Sequence, residues 1–309
     1  MNDEERTSQE EREQELWREV SQSEGAERAE AITALGRILW DKSKYKESLA
    51  FCESARDLYL EAGRENYLDE LTDVSFGIMN NLDMLHRPRE AAEAAAVIVQ
   101  LYKETNHPML GELLRDEGRY WFSAGEIEKS LERHLEAIAI VDPDQTEIGR
   151  GVDLLNVGMA RKRLGHYIDA IENLKDAIAI FKAEKNPSWV SKCHGELTEI
   201  YTELEMPDEI EEWARKALDF AELTGNGRWE YWLNYYIGVA RKIKGDLDSA
   251  EEFLAKAKHQ AIQSGDQDWN VLVKIEKEIA GIDVIRGKVS QAEEALRRVA
   301  TIEETLLAS

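Results

Sequence analysis

Residues 154–187 read LLNVGMARKRLGHYIDAIENLKDAIAIFKAEKNP. Leu154, Val157, Leu164, Ile171, Leu174, Ala177, Ile178 and Phe181 recur at helical spacing and form an apolar seam. Gly165 and His166 interrupt the seam, so the stretch reads as two short antiparallel helices, A and B, with Tyr167 opening the second. Gly158 and Ala170 are small enough to let the two axes approach closely, and Pro187 ends helix B.

The pattern recurs along the chain. With the small residue of helix A set as position 8, seven candidates align on Gly36, Asn80, Gly118, Gly158, Thr198, Gly238 and Ala280, in steps of 44, 38, 40, 40, 40 and 42. Position 20, in helix B, is then Ser48, Ala92, Ser130, Ala170, Ile210, Ala250 and Ala292. Position 27 is Ala55, Val99, Ala137, Ala177, Ala217, Ala257 and Val299. Asn80, Thr198 and Ile210 depart from the small-residue rule, whereas Pro88 and Pro207 sit at the start of a helix B, where a missing N–H costs nothing.

A small residue early in helix A, a Gly turn, an aromatic, and two alanines seven apart in helix B resemble the tetratricopeptide repeat. The resemblance covers residues 29–307 and is nearest to the longer repeats of kinesin light chains, Pins-type adaptors and the peptide-responsive regulators of Gram-positive bacteria. It implies an all-α fold, a right-handed α-solenoid of about seven hairpins. The organisation expected is an acidic tail and short capping helix over 1–28, then repeats at 29–72, 73–110, 111–150, 151–190, 191–230, 231–272 and 273–309. The residues beyond a basic repeat are expected between helix B and the next helix A. There Trp189, Trp229 and Trp269, each 40 from the next, occupy one equivalent site and read as clamps between repeats.

Composition narrows the function. The 309 residues carry a formal net charge of −24, which repels phosphate backbones and anionic bilayers, so neither nucleic acid nor a membrane is an expected partner. Two cysteines, Cys52 and Cys193, make no disulfide framework, and MNDEERTSQEEREQE lacks the features of a secretory signal; the expected location is a reducing cytoplasm. Residues 1–15 hold seven acids and two arginines and read as a solvated tail. Leu16, Trp17 and Val20 then suit a short helix that covers the open end of the first repeat.

No constellation for catalysis stands out, and neither a cofactor nor a metal is expected. His86, His107, His134, His166, His194 and His259 show no metal-ligand spacing, and His134 reads as a packed imidazole. Cys193 and His194 are adjacent, so on a helix one of them faces away from the other. Asp142, Asp144 and Glu147 lack the glycine and the acid spacing of a calcium loop.

The resemblance implies that positions 2, 5, 6, 9, 12 and 13 of helix A line a concave groove. On that register the lining includes Arg37 and Trp40; Asn81 and Met84; Arg115, Arg119 and Phe122; Asn156, Met159, Lys162 and Arg163; and Trp232, Tyr235 and Tyr236. Repeat five adds Glu196, Glu199 and Glu203. Arg115 and Arg119, four apart on one helical face, can grip one carboxylate together; alternatively, these bases pair with neighbouring glutamates. Asn156 matches the asparagine with which the family often holds a peptide backbone.

The expected function is a non-catalytic scaffold or adaptor whose groove takes a protein or peptide of acidic plus apolar character. A peptide-responsive regulator acting through a separate partner, and an obligate structural subunit, remain alternatives. The acidic tail is a candidate occupant of the same groove, and the oligomeric state is open.

Overall fold

The computed structural model describes residues 3–140, 146–224, 230–264 and 268–308, without the side chains of 3–10, 221–224 and 306–308. The described residues are helical throughout, apart from turns and a short 3-10 turn at Arg64–Asn66. The chain divides into two compact units, residues 1–144 and 145–309. The sequence led us to expect one array over 29–309, and each unit is therefore described by itself.

The first unit opens with α1 (Asp3–Gln22) and continues as three hairpins. These are α2 (Gly25–Asp41) with α3 (Tyr45–Gly63), α4 (Leu68–Met84) with α5 (Pro88–Thr105), and α6 (Leu110–Ser123) with α7 (Ile127–Ala139). Instead of a solvated tail and a short cap, one helix runs from Asp3. Leu16 is 2% exposed against Ala31 and Leu35 of α2, and the Trp17 ring meets Phe51 edge-on, so this helix does close the end of the first hairpin.

The second unit holds four hairpins. They are α8 (Glu147–Arg163) with α9 (Tyr167–Ala183), α10 (Pro187–Glu203) with α11 (Pro207–Thr224), α12 (Glu230–Ile243) with α13 (Leu247–Gln263), and α14 (Trp269–Ile285) with α15 (Val289–Ala308). Within each unit every helix packs on its sequence neighbours, and several helices A also touch the next helix A, as α2 does α4 and α10 does α12. Most helices run to about five turns, so the residues beyond a basic repeat lengthen helices, not the junctions. Only residues 184–186 separate α9 from α10, and Pro187 begins α10 as well as closing off α9.

Two features repeat. The backbone seven residues after the small residue turns left-handed in every hairpin: Ser43, His86, Gly125, Gly165, Glu205, Gly245 and Gly287 all have φ between +53° and +80°. Counting back from His86 puts Met79, not Asn80, at position 8 of repeat two, a correction of one residue. Met79 is 1% exposed, and on this register Ala91 and Ile98 join the buried rows of helix B.

The second feature is close contact. A Cβ on Gly158 would meet Leu174 Cγ at 3.0 Å, and one on Gly238 would meet Leu254 Cγ at 2.8 Å, so these glycines set the distance between helices A and B. Thr198, which is not small, is fully buried at this position, and its Oγ1 donates to His194 O at 2.8 Å.

Trp189 stacks on Phe181 with centroids 5.6 Å apart, and Trp189 and Trp269 both pack, half-buried, on the core of the second unit. Trp229, Asp142 and Asp144 lie outside the described residues.

The turn geometry predicts a mutational asymmetry. Open space surrounds Gly245, so Gly245→Ala tests backbone strain alone and is expected to cost about 1–2 kcal/mol in urea denaturation. Glu205→Gly is expected to gain up to about 1 kcal/mol. A Gly245→Ala chain as stable as the parent contradicts the left-handed turn.

Candidate functional site

In the first unit the helix-A face is cut by a cleft of 340 Å³ between α2 and α4, floored by Ser48 and Cys52 of α3. Thr33, Arg37, Trp40, Asp41, Asp73, Phe76, Gly77 and Asn80 line it, and on the corrected register each stands at position 2, 5, 6, 9, 12 or 13. No described side chain of α1 lines this cleft.

Asn81 shares the cleft wall, but at position 10. Its side chain is 1% exposed, with Nδ2 donating to Ser48 Oγ at 2.9 Å and to Gly77 O at 2.8 Å. It is a packed residue where a free groove asparagine was expected, because helix register in repeat two is one residue off. Met84 keeps a groove position and is 46% exposed.

Two bases of this face, Arg37 and Arg119, are paired across repeats. The Arg37 guanidinium donates to Asp73 on the next helix A, and Arg119 bonds Asp83 at 3.4 Å and lies 3.6 Å from Asp116. Arg119 also sits over the Tyr120 ring at 4.1 Å from its centre. Arg115 and Phe122 are half-buried. Arg37 and Arg119 of the expected basic trough are thus already in ion pairs, since acids one repeat away come into reach once the hairpins stack.

In the second unit the same logic is carried deeper. Lys162 Nζ donates to Glu196 at 2.5 Å and also to Glu199; burial disfavours its charge, yet the two carboxylates outweigh that and raise its pKa. Glu199 also accepts from Tyr236 OH at 3.1 Å, and Lys242 donates to Glu278 at 2.6 Å. Burial, with Glu199 second, pushes the Tyr236 phenol upward, and burial does the same to Tyr235. Tyr235 and Tyr236 are therefore mostly enclosed, while Trp232 stays half-buried, stacks on Tyr236 and donates to Asp268 Oδ2 at 3.0 Å. Asp268 Oδ1 meanwhile caps α14 through the Asn270 and Val271 N–H groups. Asn156 and Met159 are half-buried and Arg163 is exposed.

Arg37, Trp40, Asn81, Met84, Arg115, Arg119 and Phe122 belong to the first unit, and Asn156, Met159, Lys162, Arg163, Trp232, Tyr235 and Tyr236 to the second. Each face therefore stands as a surface of its own unit. Glu203 is exposed on the second face.

His134, His194 and both cysteines are interior, whereas His86, His166 and His259 are exposed and His107 is half-buried. Cys193 and His194 are both buried, where one was expected to face away, because α10 is packed on several sides by α8, α9, α11 and α12. Burial raises the Cys193 thiol to about 12 and the Cys52 thiol to about 11, and both cysteines are free. His194 lies between Trp213 and Phe220 with both ring nitrogens unpartnered, and burial lowers its pKa to about 4. His134 is likewise packed, against Gly118, with its pKa lowered to about 4 by burial and then Arg115. Among the described residues no group of His, Cys, Asp and Glu is placed to hold a metal ion, and no helix is long and apolar enough to cross a membrane.

No family model matches the chain. A stretch of 181 residues is 24% identical to outer dynein arm-docking complex subunit 4 of Xenopus laevis, covering 57% of this chain and 33% of that protein. The chain thus spans about a third of the curated relative it matches. Among solved structures, the STAND protein with a tetratricopeptide repeat sensor from Pyrococcus horikoshii superposes with a TM-score of 0.68 at 16% identity, over 91% of this chain and 43% of that one. A Rap protein in complex with competence and sporulation factor gives 0.53 at 15% identity, over 95% and 80%. The fold is that of tetratricopeptide-like helix-hairpin arrays.

Two predictions follow from burial. Lys162 and Glu196 expose only 13% and 15% of their side chains, against 68% and 48% for Arg37 and Asp73. Lys162→Met is therefore expected to cost about 1–3 kcal/mol and Arg37→Met less than about 1 kcal/mol in chemical denaturation; equal costs contradict the difference in burial. For the histidines, an unfolded pKa of 6.5 above a folded value of about 4 means that the unfolded chain binds more protons in that window. Stability should be full above pH 6.5 and fall as pH drops toward 4, by about 3 kcal/mol per histidine. Ring-proton NMR titrations with midpoints near 6.5 for His134 and His194 would overturn this.

Proposed function

We propose that the chain is a non-catalytic interaction scaffold whose helix-A faces receive a segment of another polypeptide. The observation that carries this is the cleft between α2 and α4, which opens on the positions that face outward from helix A and is lined by no described part of α1. A face made of paired hairpins is ordered before a partner arrives, so little conformational entropy is lost on docking.

The partner segment carries acids and an apolar anchor. Arg37 and Arg119 are already paired, but their ion pairs are exposed and weak, so an incoming carboxylate can exchange with Asp73 or Asp83 at low cost. Trp40, Phe76, Met84 and Phe122 offer the apolar contact. In the second unit Trp232 and the exposed Glu203 border a face of different character, with Asn156 and Met159 on the same helix-A positions. The chain works in a reducing compartment, a reading supported by its two free buried cysteines.

The likeness to a Rap protein bound to competence and sporulation factor favours a second reading, a regulator whose shape responds to what it binds. A change in radius of gyration on partner binding in X-ray scattering separates it from a rigid scaffold.

Selection of random peptides on the full chain tests the scaffold reading. Enriched sequences should combine Asp or Glu with an aromatic or aliphatic residue, and Arg37→Glu with Arg119→Glu should weaken them at least fivefold, about 1 kcal/mol. Selection without enrichment, or affinity unchanged by the double substitution, contradicts it.

A further inference from the structure

The end of the first hairpin is covered by α1, and the side chains that hold α1 there define a second surface. Glu13, Leu16, Trp17 and Val20 fall at i, i+3, i+4 and i+7, along one face of the helix. Leu16 and Val20 rest on Ala31, Ala34, Leu35 and Ile38 of α2, the Trp17 ring meets Phe51 of α3, and Glu13 accepts from Lys42 Nζ just past the end of α2. None of these residues lines the cleft between α2 and α4.

The hold is local. Among the described residues, α2 is the one helix whose backbone lies close to α1, and Leu16 is the one buried side chain of α1. Residues 3–15 contain no apolar side chain, so contacts within two turns carry the attachment. Residues 1–15 also hold seven acids against two arginines on a chain of net charge −24, and like charge works against keeping that stretch in place. Only Ser23 and Glu24 separate α1 from α2, and open space surrounds Gly25, whose φ is +55°. α1 can therefore swing away at this joint without unfolding α2, leaving Ala31, Leu35, Ile38 and Phe51 bare.

We propose that this face of the first hairpin is a docking site for an amphipathic helix of a partner polypeptide, which takes the place of α1. The helix that fits has an acid for Lys42, an aliphatic residue for Ala31 and Leu35, an aromatic for Phe51 and a second aliphatic, at the spacing of Glu13, Leu16, Trp17 and Val20. A partner with those four residues and fewer surplus acids binds more tightly than α1 does in trans, because it brings less charge onto a chain of the same sign. α1 shields the apolar surface while no partner is present and sets the affinity that a partner must exceed. This face adds to the scaffold reading and stands apart from the helix-A faces.

Peptides test it on the full chain. A fluorescein-labelled peptide of residues 3–22 is titrated against the parent and against Leu16→Glu, which frees the face of its own helix. The variant should bind with a dissociation constant on the order of 100 μM, and the parent at least about tenfold more weakly. Leu16→Glu within the peptide should abolish binding. Replacing Glu4, Glu5, Glu10 and Glu11 of the peptide by Gln should tighten it at least about threefold at low salt, a gain that shrinks in about 0.5 M salt. On the parent, an excess of that Gln-substituted peptide should displace α1, seen as faster motion of a spin label attached at Gln14→Cys, an exposed position. Should Leu16→Glu fail to fold, Trp17→Ala, at a position 49% exposed, should still raise the affinity for the peptide at least about threefold.

No binding of the peptide to Leu16→Glu at ten times the expected dissociation constant, or a label at position 14 that stays immobile under excess peptide, would overturn the proposal and make α1 a permanent cap. Light scattering separates the occupants: a parent chain that dimerises, and whose dimer is lost in Leu16→Glu, exchanges α1 with a second copy, and the partner assignment falls. Displacement of α1 by peptide leaves this site standing even where Arg37→Glu with Arg119→Glu changes no affinity, so the two readings fail separately.

Discussion

The fold depends on how closely helix A can lie against its own helix B. Gly158 against Leu174 and Gly238 against Leu254 leave no room for a Cβ, and the left-handed residue that follows each helix A returns the chain at a fixed distance. With that spacing set, Ala170, Ala177, Ala250 and Ala257 become fully buried, and helix A keeps one face turned away from its hairpin. The close contact therefore determines which residues can meet anything else.

Charge follows from the same geometry. A chain with a net charge of −24 has more carboxylates than bases, and stacked helices A bring acids of one repeat beside bases of another. Exposed pairs such as Arg37 with Asp73 contribute little to stability. Enclosed ones such as Lys162 with Glu196 are held by burial and serve as fixtures of the second unit.

Much of this was legible in the sequence. Helix periodicity, the small residues and the Gly turns located all seven hairpins, because each signal is local. Repeat two was misplaced by one residue because both of its local marks are disguised: Met79 fills the small-residue position and His86, not Gly, makes the turn. That slip moved Asn81 onto the groove and hid Gly77 and Asn80. The paired state of Arg37, Arg119 and Lys162 was open at the sequence level, since their partners lie on another hairpin and no local pattern declares them. The burial of both Cys193 and His194 was missed for a related reason, as α10 is covered over more than one face by α9, α11 and α12.

A helix face turned away from its hairpin connects the fold to the binding we propose. The most direct measurement is thiol labelling at neighbouring positions, for which the buried Cys52 and Cys193 give a slow background. Asn80→Cys should react with a maleimide at the rate of a solvent-exposed thiol, while Asn81→Cys should react as slowly as Cys52. Fast labelling at 81 with protection at 80 would contradict the register, and with it the face on which the binding assignment stands.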